Sequence, residues 1–118
     1  MFKGDEMIAP PKKVNFGSCT FDVEIIDKLL DGDRGKKLDG HIKYLEGKIR
    51  IEKEACPQHQ ISTFIHEVLH RIIMVHGHEQ HIKPEELEGL IDSMADGILS
   101  LLRLNPDVVS WIRNTQHD

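Results

Sequence analysis

At Pro57 the spacing of apolar residues changes, and that change constrains the fold more than any count of residue types does. Upstream, Val14 and Phe16, then Phe21, Val23 and Ile25, alternate with polar neighbours on either side of a Gly17-Ser18 break. Ile42 and Tyr44 lead into Glu46-Gly47, after which Ile49 and Ile51 follow. Alternation with period two turns one side of a strand toward a core, and a glycine-bearing break between two such runs is a hairpin signal. Two hairpins are therefore expected before Pro57. The stretch "DKLLDGDRGKKLDG" between them is rich in Asp and Gly and reads as turn and loop.

Downstream the period becomes 3.6. Ile61, Phe64, Ile65, Val68, Leu69, Ile72 and Val75 form one helical stripe, with Pro57 suited to its first turn and Gly77 to its stop. After the short loop "HEQHIK", a second helix opens at Pro84-Glu85-Glu86, its acidic groups at the positive end of the helix dipole. Its stripe is Leu87, Leu90, Ile91, Met94, Ile98, Leu101 and Leu102, and Asn105-Pro106 ends it. "PDVVSWIRNT" reads as a short third helix, with Trp111 expected to anchor it on the core. Strands first and helices second predict an α+β domain: a small twisted antiparallel or mixed sheet of about three to four strands, packed on the first of three helices. Residues 1–118 read as a single domain with a loose polar lead-in over residues 1–11.

Composition narrows the chemistry. The chain has 118 residues, 39% of them apolar, and a formal net charge of −5, with both signs of charge mixed along its length. No basic face stands out, so direct binding to nucleic acid is not expected. Two cysteines, Cys19 and Cys56, make no disulfide framework and read as reduced thiols. No apolar run approaches the roughly 18 residues a membrane span needs, and the N-terminus lacks the apolar stretch of a signal peptide. A cytoplasmic protein with no membrane partner is the expectation.

All but one of the eight histidines lie after Pro57, and two fall in "FIHEVLHRI", inside the first helix. His66 and His70 are four residues apart, one turn apart on one face, and that face points away from the centre of the apolar stripe. Two imidazoles so placed can bind one Zn²⁺, and Glu67, one step round the helix, can reach a water on that metal as general base. This is the His-Glu-x-x-His arrangement. A catalytic zinc takes a third protein ligand and keeps one open position. Glu88 on the second helix is a candidate, with Asp92 one turn on and able to accept the proton of a ligating imidazole. His76, ten residues after His66, has a metzincin-like spacing, but Ile73 stands where that pattern needs the glycine that turns the chain. His78 and His81 are loop alternatives. His78, His81 or Tyr44 could instead hydrogen-bond the oxyanion of a tetrahedral intermediate. His41 and His59 read as surface groups, and Cys56 as an inert thiol.

"TFIHEVLHRI" followed by "EELEGLIDSMADGIL" resembles the small gluzincin-type metallopeptidases of phages and bacterial mobile elements, of the ImmA/IrrE kind. In that family a glutamate is followed by a small or apolar residue three on, a polar one four on, and an apolar or aromatic residue plus Ala six and seven on. Here Glu88 is followed by Ile91, Asp92, Met94 and Ala95. The resemblance covers residues 57–112 and assigns the third ligand to Glu88. It implies a minimal zincin-like fold with one edge strand able to pair with an extended peptide, a place that falls to "KIRIEK" and hence to Ile49, Arg50 and Ile51. It further implies one Zn²⁺, a protein or peptide substrate such as a transcriptional repressor, and a regulatory role in a phage or mobile element. The chain departs from the family in having Asp rather than Asn four after the glutamate, and no separate helix-turn-helix or sensor segment.

Two other functions fit the same residues. One is a non-catalytic, zinc-stabilised interaction module, a phage accessory protein whose fourth metal position is closed by a side chain such as His78 or His81. The other is a metal-free helical hairpin that binds a partner. An open metal position marks the enzyme, a closed one the module, and failure to bind zinc the third.

Overall fold

The computed structural model describes residues 9–32 and 35–115. Most of the lead-in, residues 1–8, lies outside the described residues. The described chain forms a four-stranded mixed sheet and three helices, the expected α+β class. It divides into two compact units, one of strands up to Ala55 and one of helices from Cys56 on.

In the strand unit, β1 (Lys13–Asn15) and β2 (Thr20–Ile26) form the first hairpin, and β3 (Gly40–Lys43) and β4 (Lys48–Glu52) the second. Gly47 supplies the positive φ, 65°, that the second turn requires. Between the hairpins Leu30 and Lys37 form an antiparallel bridge. The strand order is β1-β2-β4-β3, with β2 and β4 parallel.

That order corrects one expectation. Ile49, Arg50 and Ile51 do not lie on an edge strand: β4 is interior, paired with β2 on one side and β3 on the other. Two forces set it there. Ile49 and Ile51 are almost fully buried, and the centre of a sheet is where such residues lose most contact with water. On the opposite face Arg50 Nε donates to Glu24 Oε1 of β2 at 3.1 Å, across the parallel register Glu24↔Arg50. The edges are β3 and the three-residue β1, whose Lys13 pairs with Asp22 at 2.8 Å. Short edges carrying lysine resist pairing with other chains.

In the helical unit each helix begins with a proline in its first turn, where the missing N–H costs nothing: α1 (Pro57–Val75), α2 (Pro84–Leu104) and α3 (Pro106–Asn114). Gly77, with φ 75°, ends α1 and leads into a short 3-10 helix over His78–His81. Leu69 of α1 and Leu87, Ile91 and Ala95 of α2 form the core, with Ile65, Ile73, Ile82 and Ile98 packed on it.

Two details differ from the sequence reading. The middle of the α1 stripe is exposed, Ile61 at 40% and Ile72 at 41%, while its margin through Leu69 is buried. The stripe is wider than one partner helix can cover, and α2 takes the Ile65-Leu69-Ile73 side of it. Trp111 does not anchor α3: it is 70% exposed, and no residue of α3 is fully buried. Among the described residues no helix is long and apolar enough to cross a membrane.

Candidate metal centre

The contact between α1 and α2 creates the site. On α1, His66 follows Ile65 and His70 follows Leu69; on α2, Glu88 follows Leu87 and Asp92 follows Ile91. Each polar residue therefore stands one step round its helix from a residue of the apolar seam, and packing the seam brings both pairs to its margin.

The distances are short. His66 Nε2 lies 2.9 Å from Glu88 Oε2, and His70 Nε2 lies 2.8 Å from Glu88 Oε1. The two Nε2 atoms are 3.2 Å apart. On the other side of its ring, His66 Nδ1 lies 2.8 Å from Asp92 Oδ1. Asp92 is acceptor-only when ionised, so His66 Nδ1–H donates to it. In the neutral ring that leaves the Nε2 lone pair of His66 directed at a carboxylate oxygen. Only a positive centre, a proton or a metal ion, reconciles lone pairs brought so close.

A metal fits that place. Tetrahedral zinc with ligands at roughly 2.0–2.1 Å sets neighbouring ligand atoms about 3.3 Å apart. The observed spacings need to open by only a few tenths of an ångström. Two imidazoles and one carboxylate form a donor set suited to zinc, and an orienting carboxylate on the outer nitrogen is the usual support of a ligating histidine. Among the described residues no other group of three His, Cys, Asp or Glu side chains converges in this way.

Glu67 differs from its neighbours. It is only 8% exposed, whereas Glu88 and Asp92 are exposed. Burial pushes its carboxyl up to about 7; His66 pulls it down and Glu88 pushes it up further. Thr63, one turn earlier on the same face, is also buried, and its only sequence signal is that spacing.

The converging group does not include the other named residues. His76 closes α1, its Nδ1–H donating to the carbonyl of Ile72 at 2.8 Å, and it is not among the converging residues. His78 and His81 are exposed on the 3-10 helix. Tyr44 belongs to the strand unit, where its carbonyl accepts the N–H of Gly47 at 3.3 Å. Cys56 is an exposed free thiol at the start of α1.

Comparison of the chain with protein-family models, with curated proteins and with solved structures finds no match.

Proposed function

We propose that the chain is a zinc-dependent peptidase in which His66, His70 and Glu88 hold the ion and Glu67 moves the proton. The observation that carries this reading is the convergence of two Nε2 atoms and one carboxylate from two helices, with separations of 2.8 to 3.2 Å. When bound, zinc supplies Lewis acidity, acidifying a water and polarising the carbonyl to be attacked.

The protein's own groups then have distinct tasks. Asp92 holds His66 in the tautomer that presents Nε2 to the ion. Glu67 takes the proton of the attacking water and passes it to the leaving amine. In the metal-free chain burial raises the Glu67 carboxyl toward neutrality, which favours its carrying a proton. A protein or peptide is the proposed substrate, and a regulatory cleavage in a phage or mobile element its setting, by the resemblance of the two helical motifs.

The test separates binding from chemistry. Zinc content is measured by mass spectrometry of the metal, and hydrolysis by cleavage of a proteome-derived peptide library. Glu67→Gln is expected to retain one zinc per chain and lose cleavage. If it cleaves as fast as the parent protein, Glu67 is not the base; if neither protein cleaves any peptide while zinc is bound, the site is a structural one.

A further inference from the structure

The strand unit holds a cavity of about 270 Å³ that the metal chemistry does not use. The segment between the hairpins contributes Leu29, Leu30 and Leu38 to its lining. The sheet contributes His41 and Lys43 of β3 and Arg50 of β4. The leucines are fixed by backbone bonds: the Leu29 N–H donates to Glu52 Oε1 at 2.7 Å, and the Leu38 N–H to the Leu29 carbonyl at 3.0 Å. A preformed, partly apolar cavity with a few convergent polar groups is the usual form of a small-molecule site. Such sites run from about 300 to 1,000 Å³, so this one suits a small ligand.

The sheet register gathers the polar groups on one face. β3 and β4 set His41 opposite Arg50 and Lys43 opposite Lys48, while Ile42, Ile49 and Ile51 alternate with them and are buried on the other face. Like charges directly opposite destabilise a strand pair. Acids on the same unit answer them only in part. Glu24 serves two cations, Arg50 Nε at 3.1 Å and Lys48 Nζ at 3.7 Å, and Lys43 reaches the exposed Glu46 at 3.3 Å. Arg50 has no other hydrogen-bond partner among the described residues, so the two Nη groups of its fork are left to donate. Asp31, the one acid among the described lining residues, has an interaction of its own.

We infer that this cavity binds a small organic acid, a carboxylate on a branched apolar body. The Arg50 fork matches a carboxylate in shape and charge, with Lys43 beside it. Leu29, Leu30 and Leu38 receive the apolar body, which separates such an acid from a bare inorganic anion. A free acid and the C-terminal residue of a peptide share this chemistry.

The inference is independent of the metal centre. Its test is titration of the full metal-free chain with isocaproate, followed by backbone amide resonances, which also report folding. Saturable shifts at Leu29, Leu38 and His41 are expected. Isocaproamide, which has the same body without the charge, should bind about tenfold more weakly, and Arg50→Gln should weaken isocaproate about tenfold. Leu30 is 50% exposed, so Leu30→Asp should fold, and its charge should weaken isocaproate about tenfold. The tripeptide Gly-Gly-Leu distinguishes the sources: tighter binding than isocaproate makes the ligand a peptide end, weaker binding a free acid. The inference is overturned if millimolar isocaproate gives no saturable shift at the lining, or if isocaproamide binds as tightly. Inorganic phosphate binding as tightly as isocaproate also overturns it. If Arg50→Gln fails to fold, Leu30→Asp decides: undiminished affinity in that variant removes the acid from the cavity.

Discussion

The two units of this chain treat their carboxylates in opposite ways. In the sheet unit acids are met by donors and cations. Glu52 accepts the N–H of Leu29 at 2.7 Å and that of Glu54 at 2.8 Å, Asp22 takes the Lys13 ammonium, and Glu46 takes that of Lys43. All three are held below the ordinary carboxylate range, chiefly by those hydrogen bonds. In the helical unit Glu88 faces two imidazoles, and Glu67 is buried and pushed up to about 7. The first pattern closes a structure with charges already satisfied. The second leaves charges that a bound cation would complete, as the proposed metal site requires.

The contrast can be broken most sharply at Glu67. Glu67→Gln is expected to lower peptide hydrolysis by about 100- to 10,000-fold, the range for loss of a general base, without loss of zinc. Single-turnover cleavage measures it. Next comes Asp92→Asn. An amide in place of the carboxylate weakens the hold on His66 Nδ1–H, and zinc affinity should fall by about 10- to 100-fold in calorimetry. A substitution at Asp22, also a surface carboxylate, should leave that affinity unchanged.

Zinc itself sharpens the comparison. At a hundredfold excess over its dissociation constant it should stabilise the folded helical unit by about 2.7 kcal/mol. Hydrogen exchange should show that gain at the amides of α1 and α2. Equal protection in β2 and β4 would erase the distinction between the units.

The smallest effect is in pH, and its sign differs between the units of the metal-free chain. Glu52, Asp22 and Glu46 have folded pKa values below their unfolded ones. The unfolded chain then binds more protons, so their stabilisation is present above the unfolded values near 4 and lost as pH falls through the folded ones. Glu67 has a folded value above its unfolded one, so its contribution favours folding at low pH and is lost as pH rises from about 4.5 to about 7. Residue-resolved exchange across pH 3 to 8 should show slopes of opposite sign. Slopes of one sign would contradict the assignment.

Local features were legible in the sequence and non-local ones were not. Period-two runs around Gly17 and Gly47 marked both hairpins, and prolines at 57, 84 and 106 marked the starts of α1, α2 and α3, while the 3-10 helix over His78–His81 read as a loop. His66, Glu67 and His70 could be singled out because one helical turn relates them. Glu88 and Asp92 needed a second helix packed at one register, and their motif resemblance was the signal for it. The placing of β4 inside the sheet depends on a parallel pairing with β2 that no local spacing encodes. The exposure of Trp111 and of Leu90, Met94 and Leu101 was hidden for a related reason. An apolar stripe tells that a helix face avoids water, not which surface covers it.

The central claim is that one divalent ion joins α1 to α2 through His66, His70 and Glu88. It is tested most directly by titrating the metal-free chain with zinc while following the imidazole nitrogen resonances. The account predicts saturation at one equivalent, with the Nε2 signals of His66 and His70 shifted, His66 Nδ1 still protonated, and much weaker binding in Glu88→Ala. Unmoved imidazole signals, or undiminished affinity in Glu88→Ala, would contradict it.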